Sequence, residues 1–180
     1  GTISIVTGTS GDFSAMSIIG TGSSGGFTFD ASNASGATIS MVTVSVGNVD
    51  SAISLGSGAG TFSANVIATD ADLTIDMSKS NAAGEVAKIS ASGLTVTLGA
   101  AGNFSANIIA ADNTFTMDGT AAVSADVSLT DVSAVDSISL TLAGSATMSA
   151  GGLNTVDTFT LSASGANESI ELTTVSASGI

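Results

Sequence analysis

The chain has 180 residues, of which 43% are hydrophobic and 9% are charged, and fifteen acidic side chains against two lysines give a formal net charge of −13. It contains no tyrosine, tryptophan, proline, cysteine or histidine, so its core must rely mainly on small and β-branched side chains packed in regular layers. The scarcity of basic residues argues against nucleic-acid binding, which needs Lys and Arg at the phosphates. The lack of cysteine excludes a disulfide framework. No run of eighteen apolar residues occurs, which argues against a membrane-spanning helix.

Short segments in which apolar and hydroxyl residues alternate run along the whole chain, and each is predicted to be a β-strand with one buried face. The first lies within residues 1–10. Four repeats then begin near Gly11, Gly60, Gly102 and Gly144. A last strand lies within 169–179, and Gly, Asn, Asp and Ser cluster between the segments, as turns require. The sequence therefore predicts about sixteen strands in a single all-β repeat domain over residues 1–180.

The repeat unit is about 42 residues long, within the range typical of repeat architectures. The phrase GNFSANIIAADNTFTMDGT at 102–120 matches GTFSANVIATDADLTIDMS at 60–78 in ten of nineteen positions, including Phe104 on Phe62. The last three of the glycines that open the repeats are evenly spaced, and only the step from Gly11 to Gly60 is longer. Insertions are therefore confined to the first repeat.

The two terminal strands are predicted to be in phase with each other. Gly179 lies four repeat lengths after Gly11, and the strand at 169–179 reads like the strand at 1–10. Another copy of the chain could therefore continue the repeat.

A half-period lies inside the repeat, because the phrase VDSISL that begins at Val135 returns as VDTFTL at Val156. A parallel β-solenoid with about 21 residues per turn, about eight turns and two turns per repeat explains both periods, since each turn places like residues above like residues. Its outward rows would be ladders of Ser and Thr. The alternative is an antiparallel β-sandwich, for which strands at regular eight- to twelve-residue spacing are the ordinary signal. A sandwich gives no reason for the match in register, so we favour the solenoid.

Side chains suited to catalysis are scarce. Without histidine or cysteine, the serine and cysteine nucleophile arrangements lack their usual base, and neither Lys79 nor Lys88 stands in an S-x-x-K setting. We therefore predict that the chain is not an enzyme and requires no cofactor.

Calcium is the one ligand that the sequence suggests, with Asp50, Asp136 and Asp157 as candidate metal ligands. Asp136 and Asp157 are predicted to lie one turn apart at the same corner, and Asp50 heads a related strand. Carboxylates stacked about 5 Å apart repel each other, and a divalent cation that prefers oxygen ligands removes that cost. The alternative is that each aspartate forms a turn, with its side chain bonded to nearby backbone N–H groups. Both interpretations extend to the aspartates that close the second strand of three repeats, Asp30, Asp76 and Asp118.

The segment VDSISLTLAGSATMSAGGLNTVDTFTLSASG, from Val135 to Gly165, resembles the Ala/Thr/Ser/Val-rich β-solenoid repeats of bacterial surface-layer proteins and large secreted adhesins. In those families a strand of the form x-V-[DE]-[ST]-φ-x-L recurs once per turn. The resemblance implies an extracellular or cell-surface coat or fibre that assembles from copies of itself, often with calcium. The glycine- and aspartate-rich nonapeptides usually found with such repeats are absent here.

Composition, repeats and resemblance together predict a structural protein. Its partners would be copies of itself, joined end to end through unpaired strand edges into an extracellular filament or surface layer. The alternative is a spacer or binding segment of a large secreted adhesin.

Overall fold

The computed structural model describes residues 2–20, 26–56, 60–79, 83–165 and 167–178. This part of the chain contains sixteen β-strands and no helix, which confirms the all-β prediction. It accordingly holds no helix that could span a membrane. The strands are β1 (Ile3–Val6), β2 (Phe13–Ile19), β3 (Phe27–Ala31), β4 (Thr38–Val46), β5 (Ser51–Leu55), β6 (Thr61–Thr69), β7 (Leu73–Met77), β8 (Ala83–Ala91), β9 (Leu94–Leu98), β10 (Asn103–Ala111), β11 (Thr114–Gly119), β12 (Asp126–Ala134), β13 (Ser137–Leu142), β14 (Thr147–Thr155), β15 (Thr158–Ala163) and β16 (Ser169–Ala177).

The strands form two eight-stranded sheets, and the chain alternates between them. The odd sheet holds the odd-numbered strands from β1 to β15, and the even sheet holds the even-numbered strands from β2 to β16, each in chain order. All described strand pairs are parallel and join a strand to the one two places further along the chain. This connectivity confirms the parallel β-solenoid and excludes the antiparallel sandwich.

The pairing register gives the length of a turn. Pairs such as Ser51 with Leu73 indicate that one turn takes about 22 residues. The longest step joins Phe13 to Ile39 and lies in the first repeat, where the sequence predicts insertions. Eight strands in each sheet span about seven turns. Each turn is therefore slightly longer than the sequence period predicts, and the number of turns is smaller by one.

The long sequence repeat corresponds to two turns, as predicted. Phe62 pairs with Gly84 on the next turn, and Gly84 pairs with Phe104 on the turn after that. Gly11, Gly60, Gly102 and Gly144 lie just before β2, β6, β10 and β14, which are every second strand of the even sheet.

Core side chains of the even sheet explain why the sequence repeats every second turn. The first inward row, read along the stack, is Phe13, Ile39, Phe62, Gly84, Phe104, Val127, Met148 and Ile170. The second inward row is Ala15, Met41, Ala64, Val86, Ala106, Leu129, Ala150 and Leu172. In the second row alanine alternates with a larger residue, and each alanine stands beside a Phe or Met of the first row. Such an alternation of large and small side chains allows the close packing typical of protein cores, and it takes two turns to complete.

The nine-residue strands of the even sheet bend in the middle. In β10 the second, fourth, seventh and ninth residues are buried, so the successive residues Asn107 and Ile108 both face outward. The strict alternation predicted from the sequence is interrupted there. Neighbouring strands bend at the same level, because pairing resumes with Ile108 on Asp131 after Ala106 on Leu129.

The two terminal strands lie in different sheets. The predicted phase between 1–10 and 169–179 would place them in the same sheet. β1 belongs to the odd sheet, where Ile3 pairs with Phe27. β16 belongs to the even sheet, where Ile170 pairs with Met148. Gly179, on which the predicted phase depends, lies outside the described residues.

Candidate functional site

The three predicted metal ligands lie where the chain passes from the even sheet to the odd sheet, at one corner of each turn. Asp50 precedes β5, Asp136 precedes β13 and Asp157 precedes β15, and all three are exposed. The backbone N–H of Asp157 donates to the carbonyl of Asp136 at 3.2 Å, so these two residues are neighbours on successive turns. Asp50 lies four turns from Asp136, roughly 19 Å at about 4.8 Å per turn. The structure therefore brings Asp136 and Asp157 together and leaves Asp50 apart.

Asp50 has a different acidic neighbour, which the sequence did not reveal. Ser51 pairs with Leu73, and the N–H of Ser51 donates to the carbonyl of Asp72 at 2.8 Å. Asp50 and Asp72 are therefore stacked on successive turns in the same way as Asp136 and Asp157. The corner carries two separate pairs of carboxylates.

The shared phrase Val-Asp-Ser is one residue out of register between the two pairs. Successive pairings place Ser51 in the inward row of Ile138, whereas Ser137 faces outward. Ser51 is 3% exposed. Its hydroxyl accepts a hydrogen bond from the N–H of Phe27 at 3.3 Å and donates one to the carbonyl of Val49 at 3.2 Å. Both hydrogen bonds of this buried hydroxyl are therefore made within the protein, one of them with the preceding turn, and the hydroxyl is not placed to bind a metal at the exposed corner.

Neither pair of carboxylates forms a complete metal site by itself. Within the described ranges, no group of three or more His, Cys, Asp or Glu side chains is placed to hold a metal ion. Calcium takes six to eight oxygen ligands, so Asp136 and Asp157 would have to be supplemented by backbone carbonyls and water. Calcium binding at this corner stays a prediction.

Neutralising one of the stacked carboxylates tests this prediction. Asp157→Asn removes the repulsion from Asp136, so in the presence of a chelator the variant should be more stable by ~0.5 kcal/mol. Calcium should raise the thermal midpoint of the parent chain and leave that of the variant unchanged, as followed by circular dichroism. Asp126→Asn is the control, because it makes the same charge change between Asn103 and Thr147. The calcium prediction is wrong if the ion has no effect on the parent chain.

The aspartates that close strands of the odd sheet are turn formers, as the alternative interpretation predicted. In each case a carboxylate oxygen accepts a hydrogen bond from the backbone N–H two residues further on. The donors and acceptors are Ser32 and Asp30, Ser78 and Asp76, and Thr120 and Asp118, at 2.8 to 2.9 Å. These carboxylates stabilise the turns that lead back to the even sheet.

These turn-forming aspartates alternate with hydroxyl side chains along the stack. Their row reads Asp30, Ser54, Asp76, Thr97, Asp118, Thr141 and Ser162. Carboxylates in this row are two turns apart, about 9.6 Å instead of about 4.8 Å, which halves their Coulomb repulsion at a given dielectric constant. The two-turn repeat therefore serves charge spacing as well as core packing.

Asp30 links this row to the stability of the protein at low pH. Hydrogen bonds from the side chain and backbone of Ser32 hold the pKa of Asp30 below its usual value of 3.8. Because the pKa is depressed in the folded chain, the stabilisation is fully present above the unfolded pKa and is lost as the pH falls through the folded pKa. Asp30→Asn should therefore flatten the loss of stability below about pH 4, measured by urea unfolding at a series of pH values. Parallel curves for the variant and the parent would contradict this assignment, and Asp126→Asn is the control.

The surface carries two open grooves large enough for a small ligand. One, of about 340 Å³, lies beside the acidic corner and includes Ala111, Asp112 and Val135 in its lining. The other, of about 370 Å³, lies over Gly84 and includes Glu85. Because the chain has no histidine or cysteine, neither groove can hold the usual nucleophile and base pair. That the chain is not an enzyme stays a prediction.

The outward face of the odd sheet is a ladder of hydroxyl groups, as the sequence predicts. Its central row reads Ser4, Thr28, Ala52, Thr74, Thr95, Thr116, Ser139 and Thr160. This row is uncharged and nearly uniform from end to end, so no single turn stands out as a binding site.

The two ends of the described stack carry unpaired strand edges. β1 and β2 are the edge strands at one end, and β15 and β16 are the edge strands at the other. Eight of their inward apolar side chains pack against the core but are only partly buried: Ile3, Ile5, Phe13 and Ala15 at the first end, and Phe159, Leu161, Ile170 and Leu172 at the second. One turn further in, row partners such as Ile39 and Met148 are almost fully buried. Each end therefore offers open backbone groups and apolar side chains to another strand.

Comparison with known proteins returned no match, whether to family models, to curated proteins or to solved structures. The resemblance to surface-layer and adhesin repeats accordingly stays a sequence-based prediction.

Proposed function

We propose that the chain is a structural protein whose copies assemble end to end into an extracellular filament or surface layer. The observation that supports this proposal is the chemistry of the stack ends. Both ends combine unpaired β-edges with rows of partly buried apolar side chains that are fully buried elsewhere in the stack. A second copy placed on such an end would pair these edges and bury these rows.

An extracellular location is supported by composition. With two lysines in 180 residues, the chain offers proteases that cleave after basic residues very few sites. The acidic, hydroxyl-rich surface also keeps single molecules soluble until they assemble.

Electron microscopy of the negatively stained 180-residue chain tests the proposal. We expect filaments or sheets whose formation increases as salt rises from about 10 mM to about 150 mM, because the Debye length falls from about 30 Å to about 8 Å and the repulsion between acidic copies is screened. Dispersed particles at high protein concentration, with and without calcium, would contradict the proposal. They would favour the alternative, a spacer segment of a large secreted adhesin, which is supported by the uniform hydroxyl ladder.

A further inference from the structure

We infer that copies of the chain join head to tail, with β15 of one copy paired to β1 of the next and β16 paired to β2. This inference rests on the proposed end-to-end assembly and adds its polarity and register. The partner is a second copy of this chain, and both sheets continue across the junction without a gap.

The order of the strands supports a head-to-tail junction. The stack begins with β1 in the odd sheet and ends with β16 in the even sheet, so each sheet has eight strands. In the winding of the solenoid an even strand is always followed by an odd strand. A copy that begins with an odd strand therefore continues the winding of a copy that ends with an even strand.

The size pattern of the core is also in phase across this junction. The second inward row ends with Ala150 and Leu172, and the next copy would continue it with Ala15 and Met41. Alanine and larger residues would thus alternate through the junction as they do within one copy. In the first row, Phe13 of the next copy would follow Ile170.

A two-fold junction, head to head or tail to tail, would break this pattern. Reversal of the strand direction sets the row of Phe13 against the fourth inward row of the even sheet, which consists of small residues such as Ala91, Ala111 and Ala134. Across such a junction a row of bulky side chains would be followed by a row of small ones. Normal packing density would be lost at the junction.

Charge is compatible with the head-to-tail register. Glu171, in the outward row that contains Ser149, would meet Ser14 of the next copy. Ser162, in the row of the turn-forming aspartates, would meet Val6. Carboxylates on paired strands therefore do not face each other across the junction, which matters for a chain with a net charge of −13.

Cysteine pairs test the register, because the chain has no cysteine of its own. In the variant Val6→Cys/Ser162→Cys the two positions would be neighbours on paired strands about 4.8 Å apart, within the Cα distance range of a disulfide, about 4.4 to 6.8 Å. Val6 is 68% exposed, and Ser162 is exposed as well. Oxidation should therefore give a ladder of covalent multimers on a non-reducing gel. The control Val6→Cys/Thr158→Cys keeps the same face but moves one cysteine four residues, about 13 Å along the strand, and should give no ladder.

Blocked ends test the polarity. Ile5→Asp/Ala15→Asp blocks the head, and Leu161→Asp/Leu172→Asp blocks the tail, each with charges that a junction would bury. We expect each variant alone to stay monomeric and an equimolar mixture to form dimers, as measured by analytical ultracentrifugation. A variant that dimerises alone, or parent filaments whose cysteine variant gives no ladder above the control, would overturn the head-to-tail inference and leave the proposed function standing. A parent chain that does not assemble at all would overturn both.

Discussion

Replacing Phe104 with aspartate is expected to lower the free energy of unfolding by about 3 kcal/mol or more. Phe104 is 1% exposed and lies in the first inward row between Gly84 and Val127. The substitution removes a buried ring and places a carboxylate in an apolar row without a partner. Because each turn of a solenoid is stabilised mainly by its neighbours, the loss should affect the turns above and below as well. Urea unfolding followed by circular dichroism measures the change.

Ser128→Asp is the matched control for this substitution. Ser128 lies on β12, the next strand of the even sheet, faces outward and pairs with two serines, Ser105 and Ser149. The substitution therefore introduces the same carboxylate at an exposed position. The control should change stability by less than about 0.5 kcal/mol. Equal effects of the two substitutions would show that Phe104 does not lie in a stacked core.

Replacing Gly84 with leucine is expected to destabilise the chain by about 1 to 3 kcal/mol through overpacking. Gly84 stands in the first inward row between Phe62 and Phe104. A Cβ atom at this position would lie 3.1 Å from Sδ of Met77 and 3.3 Å from Cδ2 of Phe104. The glycine therefore provides the space that the phenylalanine rings on the adjacent turns occupy.

A double-mutant cycle separates this effect from a general loss of stability. Phe104→Ala returns space to the leucine, so the double variant should be more stable than the sum of the single effects by at least about 1 kcal/mol. Val127→Ala is the control, because Val127 lies two turns from Gly84 and its effect should be additive. If Gly84→Leu and Phe104→Ala are also additive, the alternation of large and small residues does not explain the two-turn repeat.

The fold class could be predicted from the sequence because two patterns with different physical origins point to it. Alternation of apolar and hydroxyl residues indicates strands with one buried face. The match of Phe62 with Phe104, one repeat length further along the chain, indicates that like residues are stacked. Together they favour a solenoid over a sandwich, in which no such match is expected, and the parallel strand pairing then excludes the sandwich.

The sequence did not predict those details of the fold that depart from the alternation of inward and outward residues. Ile108 is apolar and follows the outward Asn107, so strict alternation predicts that Ile108 faces inward. The bend instead turns it outward. The phase of the terminal strands was predicted from the spacing of Gly11 and Gly179 and from the alternation of the strands, and alternation is the same in both sheets. It therefore could not place β1 in the odd sheet and β16 in the even sheet.

The acidic corner was predicted only in part, for a related reason. The phrases Val-Asp-Ser at Asp136 and Val-Asp-Thr at Asp157 are in register because these two turns have the same length. The turn before β5 is longer and shifts Asp50 by one position. Asp72 was missed because its phrase, Ala-Asp-Leu, shares only the aspartate. Register at a corner depends on the length of each turn, which repeat matching does not reveal.

X-ray diffraction from aligned assemblies of the 180-residue chain tests most directly whether copies stack end to end. Solenoids that continue one another place their strands perpendicular to the filament axis, so we predict a meridional reflection at about 4.8 Å. Solenoids that associate side by side would place the same reflection on the equator. An equatorial reflection at this spacing, or none at all, would contradict the account.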